Sequence, residues 1–209
     1  VVPAAIRALT HDRQLRLLLV GDGPMIEAQI DKSAEQFASR FEIVHTDAVI
    51  PSDATARAVL RSGEGSSLWT ALQRVADGQA RACVSAGNTV ALMTLGVKLI
   101  GRLPGVKRPA LMSHIPTSHG LVGMLDLGAN LNVDARALVQ FALMGAVVRA
   151  HHDGADSQPS MGLLNVGHEA SKGLDVLREA HDILEESGLA YRGFVEGHDI
   201  FAGQVQLVV

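Results

Sequence analysis

Residues 82–93 read ACVSAGNTVALM, an apolar run that meets a polar loop, Ser85-Ala86-Gly87-Asn88-Thr89. Apolar residues then resume at helical spacing through Leu92, Leu95 and Leu99. A short apolar run, a glycine-containing loop and a 3.6-residue period are the marks of a strand handing over to a helix. The question is what such a junction holds.

Working outward, the same alternation recurs. The run LRLLLV at 15–20 predicts a strand, which ends at Gly21-Asp22-Gly23-Pro24 before a helical pattern over 25–37. Strand at 41–45, helix at 66–79, strand at 80–84 and helix at 91–100 follow. Further on the pattern predicts strands at 110–114 and 122–127, a long helix at 136–151 and a strand at 162–166. A helix at 174–187 and strands at 190–195 and 205–209 complete it. Continuously apolar strands separated by helices imply a parallel sheet covered on both faces. The expected fold is therefore α/β, three-layered, with a mostly parallel sheet, and residues 1–209 are read as a single α/β domain.

Composition narrows the function classes. The 209 residues are 47% hydrophobic and 19% charged, enough for a substantial core. A formal charge of -4 argues against nucleic acid as a partner, since the electrostatic footprint of a nucleic-acid backbone needs an excess of Lys and Arg on some face. The one cysteine, Cys83, can form neither an internal disulfide nor a cysteine zinc site, so a reducing cytoplasm fits best. No apolar run approaches the length of a membrane span. Val1 is not an initiator methionine, so the chain is read as lacking its natural start, and targeting stays open.

In parallel sheets chemistry gathers where strands end and helices begin, because free backbone N–H groups and the positive ends of helix dipoles collect there. Three such loops share one chemistry: SAGNT at 85–89, DLGAN at 126–130 and NVGHEASKG at 165–173. Each sets glycine beside small hydrogen-bonding residues, which serve an anion or an ordinary turn and cap equally well.

The segments ACVSAGNTVALM, LDLGANLNVD, VQFALMGAV and GLLNVGHEASKG occur in this order, with GEGSSLWTAL before them as a serine-bearing helix start. Together they resemble the bacterial phosphate acyltransferase family known as PlsX, from about Leu15 to Val209. The resemblance implies transfer of a fatty acyl group from acyl carrier protein to inorganic phosphate, giving an acyl phosphate for phospholipid synthesis. It also implies a fold like that of the isopropylmalate dehydrogenases, a homodimer, and contact with the inner face of the membrane. Two family features are missing from the sequence: an Asp-x-Met-Gly-Gly-Asp loop on a first strand and an Asp-Gly-Phe-x-Gly-Asn loop after the last one. The chain is accordingly expected to lack the family's first strand and its C-terminal segment. Val90 replaces a usual glycine and Asn132 a frequent aspartate.

Lys172 matches the family's loop lysine and is the expected catalytic residue, touching phosphate or the thioester oxygen. A compact ammonium there would stabilise the oxyanion that forms on the carbonyl; the alternative is a solvated surface lysine. The expected phosphate and substrate contacts are Ser85, Gly87, Asn88, Thr89, Asp126, Gly128, Asn130, Asn165, Ser66 and Ser67. Asn88, Thr89, Ser66 and Ser67 are equally placed to act as helix caps, and Asp126 and Asn130 to fix a turn. Cys83 is set aside as a nucleophile because an apolar setting disfavours the thiolate. His114, His152 and His168 could move protons, but ionised phosphate and a thiol leaving group need no general base. The nine histidines show no metal-ligand spacing, so neither metal nor cofactor is expected. Lys98, Arg102, Lys107 and Arg108 form the one dense basic cluster, a candidate dock for an acidic carrier protein or a solvated loop. Two other classes share the pattern: a nicotinamide-dependent hydroxyacid dehydrogenase, which lacks its GxGxxG fingerprint here, and a non-catalytic carrier-binding scaffold.

Overall fold

Parallel pairing begins at the leucine-rich run near the start of the chain. Strands β1 (Leu17–Gly21) and β2 (Phe41–His45) pair in parallel, Leu17 opposite Phe41 and Gly21 opposite His45. The structure, a computed structural model, describes residues 1–30, 32–154, 157–169 and 172–209, without the side chains at 32, 33 and 153. These residues divide into two compact units, Val1–Arg102 and Leu103–Val209.

In the first unit, helix α1 (Val2–His11) starts at a proline, whose fixed φ suits the first turn. It buries Val2 and Leu9, and Val2 joins a cluster with Leu19 and Ile26. The helix expected over 25–37 is instead a short α2 (Gly23–Glu27) and a 3-10 helix (Lys32–Arg40); residue 31 lies outside the described residues. Tertiary bonds override the periodicity there, because the Arg40 guanidinium donates to the carbonyls of Leu9 and Asp12 at 2.6 and 2.8 Å. Helices α3 (Ala56–Ser62), α4 (Ser67–Ala76) and α5 (Thr89–Leu99) pack around Val59, Leu68, Leu72, Ala91 and Leu95. Residues 80–84 form no strand, against expectation, and Val84 is 93% exposed. A strand exists only as part of a ladder, and no strand among the described residues pairs with this run.

The second unit holds a five-stranded sheet in the order β3-β4-β7-β5-β6. Strands β3 (Met112–Thr117) and β4 (Gly120–Leu125) form an antiparallel hairpin, because two residues rather than a helix connect them. The pairings of β4 with β7 (Leu207–Val208), of β7 with β5 (Met161–Leu164), and of β5 with β6 (Tyr191–Val195) are all parallel. The fold is thus α/β with mostly parallel pairing, distributed over two sheets. Helix α6 (Ala135–Asp153) is capped by Asp134, whose carboxylate accepts the Ala137 N–H at 2.8 Å and is held below its ordinary range by that bond first. It lays Leu138 and Phe141 against Leu125, Leu163 and Phe194, together with Ala180 of α7 (Asp175–Glu185). The last helix, α8 (Gly197–Ala202), follows β6 directly.

Candidate functional site

Because β4, β5, β6 and β7 run the same way, the segments that follow β4, β5 and β6 stand on one edge of the second unit's sheet. After β4, Asp126 Oδ1 accepts the Leu111 N–H at 2.7 Å. Its Oδ2 accepts the Asn130 N–H at 2.7 Å and the Asn130 amide at 2.9 Å, and that amide also donates to the Pro109 carbonyl at 2.9 Å. Gly128, at φ 82°, turns the chain between them in a region that side chains rarely adopt. Asp126 and Asn130 thus form a latch whose polar atoms bond to one another and to nearby backbone.

After β5 the arrangement is open. Asn165 is buried, and its amide donates to the Lys172 carbonyl at 3.1 Å. Its Oδ1 is buried without a hydrogen-bond donor among the described residues. Gly173, at φ 85°, leaves room for that side chain: a Cβ there would lie 2.1 Å from Asn165 Oδ1. The Lys172 side chain is 53% exposed, and its ammonium contacts Glu169 Oε2 at 2.9 Å. That hydrogen bond holds the ammonium above its ordinary range and the Glu169 carboxyl below its own. Glu196 adds to the first effect from the next segment. Gly167 gives the lysine space to fold back, since a Cβ there would meet Lys172 Cδ at 2.6 Å. Ala170 and Ser171 lie outside the described residues.

After β6, Glu196 and Asp199 make a capping box on α8, in which the Glu196 N–H donates to Asp199 Oδ2 at 2.8 Å. His168 reaches across from the β5 segment. Its Nδ1 lies 3.0 Å from the Phe194 carbonyl and its Nε2 3.3 Å from Asp199 Oδ2. The sequence reading missed Glu169, Glu196 and Asp199. The signal for the last two was present as an acidic pair three residues apart directly after a predicted strand, the spacing of a capping box.

In the first unit the expected contacts make local hydrogen bonds to the chain around them. Asn88 caps α5 through the Ala91 N–H at 2.9 Å, while its amide donates to the carbonyls of Pro51, Ser52 and Ala54. Ser85 Oγ accepts the Gly87 N–H at 3.1 Å, and Thr89 is exposed at the first position of α5. Ser66 is buried, accepts the Trp69 N–H and donates to the Gly63 carbonyl; the Ser67 N–H goes to the Ala48 carbonyl. Cys83 is half-buried against the Val59–Leu95 cluster, and burial pushes its thiol up. In the basic cluster, the Lys98 ammonium sits 4.6 Å from the Trp69 ring centre, Lys107 pairs with Asp134 at 3.4 Å, and Arg108 donates to the Asn132 carbonyl.

A mostly parallel α/β sheet with a polar rim on its carboxyl edge, one exposed lysine standing on that rim, defines the class. The chain belongs to the family described as fatty acid synthesis protein, whose model matches residues 1–209. It is 46% identical over 210 residues to a phosphate acyltransferase of Teredinibacter turnerae and 43% identical over 212 residues to one of Photobacterium profundum. Both alignments cover 100% of this chain but only 62% and 61% of those proteins, so the chain spans about three-fifths of their length. In fold it resembles the EutD phosphotransacetylase of Staphylococcus aureus, with a TM-score of 0.61 at 17% identity over 99% of this chain and 72% of that one.

Proposed function

We propose that the full-length protein transfers a fatty acyl group from the thioester of acyl carrier protein to inorganic phosphate, producing an acyl phosphate. The observation that carries the reading is Lys172, a half-exposed ammonium on the carboxyl edge of a parallel sheet, in a family whose curated relatives are named phosphate acyltransferases.

A phosphate oxygen attacks the thioester carbonyl directly; the new C–O bond forms, the C–S bond breaks, and the thiolate leaves. No covalent acyl-enzyme is needed, and the protein contributes positioning and charge. Lys172 is an ammonium at neutral pH like any lysine, a state that its hydrogen bond to Glu169 favours further, and it offers hydrogen bonds to phosphate and to the developing oxyanion. Asn165 fixes the Lys172 backbone through the carbonyl it binds. Incoming phosphate shares the ammonium with Glu169, which weakens ground-state binding. Kinship with the isopropylmalate dehydrogenases, homodimerisation and peripheral membrane contact rest on the resemblance, and a cytoplasmic setting on the single cysteine. Among the described residues no helix is long and apolar enough to cross a membrane.

The test is thiol release from acyl-acyl carrier protein by the full-length protein with and without phosphate. Release that requires phosphate supports the reading, and equal release in phosphate-free buffer makes the protein a hydrolase.

A further inference from the structure

We propose that His168, His198 and Asp199, with Glu196 beside them, bind one divalent transition-metal ion of the zinc type on the carboxyl edge of the second unit's sheet. Asp199 is 1% exposed, so its carboxylate is aimed into protein rather than water. One of its oxygens takes the Glu196 N–H, which leaves most of its lone pairs for other partners.

His168 is oriented as a ligand. The Phe194 carbonyl beside its Nδ1 is an acceptor only, so Nδ1 carries the ring proton and donates to it. That is the usual outer hydrogen bond of a metal-binding imidazole. The other nitrogen, Nε2, then turns its lone pair toward Asp199 Oδ2 at 3.3 Å and Glu196 Oε1 at 3.7 Å. Acceptors facing acceptors need a cation between them, either a metal ion or a second proton. His198 approaches the same carboxylate from the other side, its Nε2 3.2 Å from Asp199 Oδ1 and its Nδ1 3.9 Å from Glu196 Oε2.

Ligand atoms of His168, His198 and Asp199 all lie within 4.8 Å of one another. Tetrahedral bonds of about 2.1 Å to zinc put neighbouring ligands about 3.4 Å apart, so a pair at the widest spacing closes by about 1.4 Å. The His198 side chain, 69% exposed, is free to make that movement. Two imidazoles with one or two carboxylates suit zinc, cobalt or nickel, whereas magnesium and calcium prefer all-oxygen sites. Ligand spacing along the chain hides the site, because the histidines stand at 168 and 198 and meet only through the pairing of β5 with β6. A bound ion would tie the Lys172 segment to α8 and neutralise Glu196, one of the two carboxylates that act on Lys172.

The binding itself does not rest on the acyl-transfer reading. Full-length protein stripped with a chelator is titrated with Zn²⁺ by calorimetry and with Co²⁺ by visible absorption. We expect one Zn²⁺ per chain, a rise in Tm on binding, and a loss of roughly 100-fold or more in affinity for His168→Gln and for His198→Gln. Asp199→Asn also weakens the α8 cap by removing the charge that accepts the Glu196 N–H, so the exposed histidines are the informative variants. Equal Zn²⁺ uptake by wild type and the folded double variant, or no uptake by either, overturns the proposal. Loss of acyl transfer alone would touch neither readout.

Discussion

The segments after β4 and after β5 carry the same kind of sequence, DLGAN and NVGHEASKG, yet they use it in opposite ways. In the first, Asp126 and Asn130 bond to each other and to the Leu111 and Pro109 backbone. In the second, Lys172 stands half exposed with a single acidic partner in contact, and the buried Asn165 Oδ1 has no donor among the described residues. The difference follows from the side chains themselves. A short carboxylate or amide finds backbone donors and acceptors within one turn of chain, so it closes on itself. A lysine has three donors and no acceptor, and its long stem carries them outward to whatever anion is at the rim. Under the proposed function the two loops divide by reach into a frame and a contact, which predicts different consequences of mutation in each.

The contact loop is expected to show the largest effect. Lys172→Ala should lower phosphate-dependent acyl transfer by roughly 10² to 10³-fold, the range for loss of one oxyanion-stabilising donor, with the melting curve nearly unchanged. Lys172→Arg keeps the charge but replaces a compact ammonium with a planar fork, so a positional role predicts substantial loss and a diffuse field predicts recovery. Wild-type turnover in a folded Lys172→Ala protein would move this loop into the same class as the latch.

The frame loop should fail in the other observable. Asp126→Ala removes the acceptor of three N–H donors at half-buried positions, and stability should fall by about 2 to 3 kcal/mol, given about 1 kcal/mol for each donor left without a partner. Chemical denaturation of the variant measures this. An unchanged midpoint would mean that water replaces the carboxylate, and the contrast between the loops would collapse.

How legible each part was in the sequence follows the same division between local and tertiary causes. Strand β2 spans the predicted 41–45 residue for residue, and α6 extends the predicted 136–151 by one residue before and two after. Both are decided by patterns within a few residues. The run at 80–84 has an equally apolar sequence and is no strand, because strand formation depends on a partner that local pattern does not supply. The β3–β4 hairpin was hidden for the converse reason: its two-residue turn, Ser118-His119, is not among the strongest hairpin signatures. Lys172 was visible as a lysine between glycines. Its partners Glu169 and Glu196 were not, since one reaches it through a turn and the other through the β5–β6 pairing.

A third, smaller effect tests whether the first unit's loop belongs with the frames. Asn88→Ala removes the N-cap of α5 and the amide that holds the carbonyls of Pro51, Ser52 and Ala54. Loss of a cap costs about 1 kcal/mol, and the tie to residues 51–54 should bring the total to about 1 to 2 kcal/mol by denaturation. A collapse of phosphate affinity at constant stability would instead make Asn88 a contact.

The smallest effect sharpens the comparison at its open end, where the proposed function has Glu169 compete with phosphate for the Lys172 ammonium. Glu169→Gln keeps the shape and removes the charge, so the KM for phosphate should fall by up to about fivefold, the scale of an exposed ion pair, with kcat little changed. The pH dependence carries a definite sign. Lys172 donates to Glu169 and holds its carboxyl below the ordinary range, so the pair is intact above an unfolded carboxyl value of about 4.3 and is lost as pH falls through the folded one. Between pH 6 and 8 the carboxylate is therefore present throughout, and the ratio of wild-type to Glu169→Gln KM should stay constant even as phosphate itself ionises. A ratio that varies across that window, or a variant whose KM rises, would show that Glu169 positions Lys172 for phosphate instead of competing with it.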